Sequence, residues 1–259
     1  MLLKDKVAVV TGGGRGIGRV IALACAEEGA NLVLAARSLE AMEETRAAIT
    51  GLGREALVVP ADIRDANSVQ AMAARALEYF GRVDVLVNNS GITGPTARLW
   101  EIAPEEWEET FTVNVTGVYL CCRAFLPSMI ERQAGSIVII SSMTGKRPLV
   151  GRSPYAASKL ALVGLARTLA WEVGAYGLRV NVISPGTVEG ERVERVFRTQ
   201  AELKGISIDE ARQEFLRASP LDHMVSPWDI ARAAVFLASD QAASITGEDL
   251  NVSAGITMY

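Results

Sequence analysis

The chain has 259 residues, 49% hydrophobic and 22% charged, with a formal net charge of −4. That length suits one large α/β domain or two small ones, and it buries most apolar surface without disulfide staples. The weakly acidic balance carries no electrostatic footprint for nucleic acid. The three cysteines (Cys25, Cys121, Cys122) are too poorly spaced for a disulfide framework or a CxxC redox or zinc site. A single histidine, His223, excludes a His-rich metal centre and leaves Ser–His–Asp chemistry resting on one residue. No metal is expected, and any catalysis must use less common acids and bases.

The N-terminus runs straight into Val7-Ala8-Val9-Val10, a strand's length of apolar residues. A membrane span needs about 20, and no small-residue cleavage site follows, so neither membrane anchor nor signal peptide is expected. Free cysteines agree with a reducing cytoplasm. Apolar, β-branched runs recur at 7–11, 31–36, 56–60, 83–88, 136–141, 179–183 and 249–252. They are nearly continuous rather than alternating, the mark of strands buried on both faces. Between them lie helix candidates at 16–28, 39–52, 66–80, 104–131, 154–175 and 227–238, with Pro104 at a first helical position and Gly29, Gly53 and Gly81 at helix ends. No linker, repeat or low-complexity tract interrupts the rhythm, so residues 1–259 read as one domain. Alternating strands and helices predict a doubly wound, Rossmann-type parallel sheet of about seven strands with helices on both faces.

Ligands of such sheets bind beyond the carboxyl ends of the strands. There the chain places Thr11 and a glycine loop, then Arg37, Asp62, Asn88-Asn89-Ser90-Gly91, Ser141-Ser142 and Ser184-Pro185-Gly186-Thr187. The loop Thr11-Gly12-Gly13-Gly14-Arg15-Gly16-Ile17-Gly18 departs from strict G-x-G-x-x-G and reads G-x-x-x-G-x-G at Gly12, Gly16 and Gly18. Between a strand and a helix it is suited to holding a pyrophosphate on backbone N–H groups. Gly12, Arg15, Gly16, Ile17 and Gly18 are therefore expected at a dinucleotide. The second strand ends in Ala35-Ala36-Arg37-Ser38, with no carboxylate to read a ribose 2′-hydroxyl. Arg37, aided by Arg15, suits a 2′-phosphate instead, so NADP(H) is favoured over NAD(H).

Tyr155-Ala156-Ala157-Ser158-Lys159 opens a predicted helix, and residues four apart share a face. The ammonium lowers the phenol's pKa and makes Tyr155 an acid/base that needs no histidine. Ser142, at the end of the preceding strand, is placed to hold a substrate oxygen beside it.

Taken together, these motifs resemble the short-chain dehydrogenase/reductase family in its short single-domain form, over essentially the whole chain. Thr11–Gly18 is similar to TGxxxGxG, Asn88–Gly91 to NNAG, Tyr155–Lys159 to YxxxK and Pro185-Gly186 to the PG turn, while Asn114 matches the helix asparagine. The resemblance implies an NAD(P)-dependent exchange of a secondary alcohol and a ketone. Tyr155 would be the acid/base. Lys159 would lower its pKa and hold the nicotinamide ribose, Ser142 would orient the substrate, and Asn114 would support a water-linked proton relay. Asp62 would contact adenine; Asn89 and Gly91 would line the adenosine side; Pro185, Gly186 and Thr187 would lie by the nicotinamide. Ser90 replaces the usual alanine, and Thr187 is displaced from the family's usual threonine spacing. The charged segment 187–219, with a capped helix at 207–217, would be a lid over the substrate, its charges read as a solvated face. Lys146, Arg147, Arg152 and Arg98 form a candidate cluster for an anionic substrate. A 3-oxoacyl-carrier-protein reductase, a sugar or polyol dehydrogenase, and a non-catalytic cofactor sensor are the alternatives. A homotetramer built on 104–131, 154–175 and the last strand is implied, and the apolar tail 255–259 hints at burial against a neighbour.

Overall fold

A computed structural model describes all residues, 1–259. The strands are β1 (Val7–Thr11), β2 (Asn31–Ala36), β3 (Ala56–Pro60), β4 (Val85–Asn88), β5 (Gly135–Ile140), β6 (Leu178–Pro185) and β7 (Asp249–Val252). They form one seven-stranded sheet in the order β3-β2-β1-β4-β5-β6-β7. Every pairing is parallel. The helices are α1 (Gly16–Glu27), α2 (Leu39–Gly51), α3 (Ala66–Phe80), α4 (Pro104–Phe111), α5 (Gly117–Glu131), α6 (Ser153–Val173), α7 (Glu191–Lys204), α8 (Ile208–Arg217) and α9 (Pro227–Ala238).

Successive strand residues point to opposite faces, and both faces are apolar here. Val7, Val9, Leu86, Ile137, Ile139, Val180 and Val182 pack against α3, α5 and α6. Ala8, Val10, Leu32, Leu34, Val138 and Ile183 pack against α1, α2 and α9. This double burial explains the unbroken apolar strand sequences. Cys25 belongs to the second core and Cys121 and Cys122 to the first. All are free, and burial pushes each thiol up to about 12.

The strand order reverses between β1 and β4. Connections leave in opposite directions there and open a crevice at the carboxyl edge. Two predicted elements differ in the structure. The helix expected over 104–131 is broken by a π-helical turn, Thr112–Thr116, between α4 and α5. By length and composition, Pro104–Glu131 could cross a membrane, but half of its most apolar window is buried in the fold. Segment 187–219 holds two helices where the sequence predicted one, because α7 carries an apolar stripe (Val193, Phe197, Ala201) beneath its charges. The predicted cap at 207 is present: Ser207 Oγ accepts from Glu210 N, and Glu210 Oε2 accepts from Ser207 N.

Candidate active site

The floor of the crevice is fixed by Thr11. Its hydroxyl donates to Val87 O and accepts from the backbone N–H groups of Asn89 and Ser90, each at 3.0 Å. Asn89 Nδ2 donates back to Thr11 O at 2.9 Å, so the ends of β1 and β4 are tied from both sides. Gly12 turns here with φ +69°, and a Cβ on it would lie 2.9 Å from Asn89 Nδ2. A Cβ on Gly18 would fall on the Gly12 carbonyl. The loop therefore excludes side chains from a cradle at the N-terminus of α1, where backbone N–H groups attract phosphate. Arg15 and Gly16 are exposed at its rim and Ile17 is half-buried.

Arg37 is exposed just beyond β2. Asp62 is not free: its carboxylate takes a forked contact from Arg64, 2.6 Å at closest, and accepts from Arg64 N. Hydrogen bonding from Arg64 holds that carboxyl below the usual range. Pro185 ends β6, and Gly186 lies so close to Ser253 that a Cβ would meet its Cα at 2.6 Å. Thr187 is buried, and its hydroxyl has no partner. A buried hydroxyl without a partner just beyond β6 and a cradle that admits no Cβ both fit a dinucleotide cofactor.

Across the switch point, α6 presents Tyr155 and Lys159, both buried. Lys159 Nζ donates to Ile140 O at 2.8 Å and stands 5.9 Å from the centre of the Tyr155 ring. Burial pushes the Lys159 ammonium down to about 8, against the opposing pull of Tyr155. For Tyr155 burial alone would raise the pKa. The Arg192 and Lys159 cations, hydrogen bonding by Ser142, and Arg152 outweigh it and hold the phenol below its ordinary 10. Ser142 Oγ accepts from Thr144 N at 3.2 Å, which leaves its own proton to donate.

Asn114 lies in the π-helical turn and is fully buried. Its Oδ1 accepts from Ile92 N at 2.8 Å, and its Nδ2 donates to Ile92 O and Ser158 Oγ. A Cβ on Gly91 would sit 3.0 Å from Asn114 Oδ1 and 3.5 Å from Lys159 Nζ. Glycine there keeps the space between the two groups open.

The four-residue basic cluster expected from sequence does not assemble. Lys146 pairs with Asp249 Oδ2 at 2.8 Å and donates to Asn251, joining its loop to β7. Arg98 and Arg147 are exposed. Arg152 alone stands by the tyrosine, its guanidinium carbon 4.7 Å from the ring centre. The site gains instead a residue that sequence reasoning left on a solvated face. Arg192, at the start of α7, donates from Nη2 to Gly91 O at 3.3 Å. Its position one residue before Val193 in the hidden apolar stripe was the available signal.

The order of these motifs along a fully parallel sheet agrees with sequence comparison. A sequence model for the family described as enoyl-(acyl carrier protein) reductase matches residues 12–257. The 3-oxoacyl-(acyl-carrier-protein) reductase FabG of Staphylococcus aureus strain Mu50 is 35% identical, covering 98% of each chain. This chain is a short-chain dehydrogenase/reductase. Among its relatives, the oxidoreductase UcpA of Salmonella typhimurium strain LT2 is 37% identical over 99% of this chain and 96% of UcpA. Among solved structures, an NAD+-bound xylitol dehydrogenase superposes with a TM-score of 0.96 at 30% identity, covering 98% of this chain and 100% of that one. An actinorhodin polyketide ketoreductase with NADPH gives 0.94 at 34% identity, covering 98% of each. Short-chain dehydrogenases/reductases of this fold bind NAD(P), and this member is an oxidoreductase.

Proposed function

We propose that the enzyme interconverts a secondary alcohol and a ketone with Tyr155 as the acid/base. The observation that carries this reading is a buried phenol beside the Ser142 hydroxyl, its pKa lowered by cations and by that hydroxyl although burial opposes them. The dinucleotide supplies the hydride donor or acceptor. In oxidation the Tyr155 phenolate takes the substrate hydroxyl proton, and in reduction the phenol returns it to the carbonyl oxygen. Ser142, whose proton is not taken up by Thr144, turns its O–H to that oxygen. Lys159, anchored on Ile140 O, keeps the phenolate electrostatically favoured. Asn114, with one Oδ1 lone pair left unused, supports a water-linked path to Lys159.

Gly12, Arg15, Gly16, Ile17, Gly18, Arg37, Asp62, Asn89, Gly91, Pro185, Gly186 and Thr187, with Tyr155 and Lys159, make up the proposed cofactor surface. Exposed, unpaired Arg37 at the end of β2 supports a preference for NADP(H). Residues 187–219 act as a lid within one domain. Exposed aromatic and apolar residues on α4, α5 and α6 (Trp107, Tyr119, Leu160, Trp171) and the exposed Met258 and Tyr259 support assembly as a homotetramer, which light scattering tests. Buried free thiols suit a cytoplasmic setting.

Tyr155→Phe removes the proton and leaves the ring. Turnover is expected to fall roughly 10²–10⁴-fold, with dinucleotide affinity retained in a fluorescence titration. Retained turnover overturns the mechanism. Arg37→Ala is expected to lower kcat/KM for NADPH and leave that for NADH nearly unchanged. An enzyme that prefers NADH before substitution sinks the cofactor reading. A panel of simple ketones, polyols and an acetoacetyl thioester with both cofactors locates the substrate.

A further inference from the structure

Arg152 is 4% exposed, yet it lacks an anionic partner. Ion pairs elsewhere join arginines and lysines to carboxylates, but none includes Arg152, Lys159 or Arg192. The Arg152 guanidinium lies over the face of the Tyr155 ring. Nη1 makes one long hydrogen bond, 3.3 Å, to Thr96 Oγ1, and the buried Nε has no partner. Three cations thus surround one tyrosine with no carboxylate among the charges that act on them. Burying a cation without an anion is costly. A site that tolerates this arrangement is one whose ligand brings the missing charge.

Three elements of the fold enclose Arg152. Thr96 comes from the loop after β4. The turn before α6 is roofed by α7, where Gln200 Nε2 donates to Val150 O at 3.0 Å and Leu203 crowds Gly151. The remaining Gln200 acceptor, Oε1, is buried without a partner. Arg152 therefore sits where the loop after β4, the tyrosine helix and α7 meet, against the Tyr155 ring.

We infer that the substrate is an oxo or hydroxy acid, and that Arg152, with Arg192 from the lid, binds its carboxylate beside Tyr155. This rests on Tyr155 acting on a carbonyl, and it favours a free acid over a neutral polyol or a thioester.

The test compares pyruvate, acetoacetate and levulinate with their methyl esters, in the original enzyme and in Arg152→Gln and Arg192→Gln. A charge-assisted hydrogen bond contributes roughly 10–100-fold. At least one acid should exceed its ester in kcat/KM by about that factor. Each substitution should raise KM for the acid and collapse the acid-to-ester ratio of kcat/KM, over and above any change in turnover that acid and ester share as Tyr155 loses a neighbouring cation. Arg192 is exposed, so its variant remains informative if Arg152→Gln does not fold. Calorimetric titration of acid and ester into the complex with oxidised cofactor should show the same preference. Two results overturn the inference: esters used as well as acids throughout, or substitutions that weaken dinucleotide binding and leave the acid-to-ester ratio intact. The second would assign the cations to cofactor phosphate. If no carbonyl compound turns over, the Tyr155 reading fails separately, and the titration still decides the anion site.

Discussion

At the sheet edge, the Thr11 hydroxyl joins β1 to β4 through three buried or half-buried hydrogen bonds. The segment proposed as a lid is held otherwise. Phe197 of α7 meets Phe215 of α8 edge-on, with ring centres 5.2 Å apart. The same pair of helices is bridged by Arg212–Glu194 at 2.7 Å and by Lys204–Glu214, all partly exposed. Exposed ion pairs contribute little, about 0–1 kcal/mol each. Most of the lid's cohesion must therefore come from its thin apolar stripe. The floor, in contrast, rests on backbone-directed bonds inside a double-sided core. The groups proposed to set proton transfer lie against the sheet, and one charge that lowers the Tyr155 pKa, Arg192, belongs to the proposed lid. Rigid placement and adjustable electrostatics are thus assigned to different parts of one fold.

The sharpest way to separate the two is Phe197→Ala. Emptying that fully buried position should cost about 3–5 kcal/mol, felt locally. Hydrogen exchange should accelerate across 191–217 while the strand amides stay protected, and substrate KM should rise. Acceleration spread evenly over the chain would show that lid and floor open as one unit.

Gly18→Ala probes the floor. The new Cβ collides with the Gly12 carbonyl, and overpacking of this kind costs about 1–3 kcal/mol. Dinucleotide affinity and Tm should fall together, with exchange in the lid unchanged. Full retention of cofactor binding would mean the cradle relaxes more freely than its hydrogen bonds imply.

The smallest effect tests the link between the regions. In the proposed mechanism alcohol oxidation needs the phenolate, so its rate should rise with pH through the Tyr155 pKa, which lies below 10. Removing a nearby cation raises that pKa. In Arg192→Gln the rising limb of kcat/KM should move to higher pH, and less so at high salt, where charges are screened. An unmoved limb would detach the lid from the chemistry.

Much of this was legible in the sequence for physical reasons. Strands buried on both faces must be continuously apolar, so β1, β2, β4, β5 and β6 announced themselves; the edge strands β3 and β7 are less buried, and β7 carries Asp249 and Asn251. The glycine loop and the Tyr155–Lys159 pair are local in sequence and carry their own geometry. Three features were hidden. The stripe of α7 is masked by Glu191, Arg192, Glu194, Arg195 and Arg198, which occupy its other faces. The π-helical turn at Thr112–Thr116 adds a residue to one turn, and side-chain periodicity gives no warning of it. Lys146 looked available because its partner, Asp249, is far along the chain and meets it only when β7 joins the sheet.

The cysteines offer a last consequence. A thiol that titrates at about 12 is ionised in about one molecule in 10⁵ at neutral pH. The folded enzyme should therefore be nearly indifferent to alkylating reagents, and modification should report opening instead. Cys25 lies behind one face of the sheet and Cys121 and Cys122 behind the other. The chain thus carries a separate chemical clock for each half of its core.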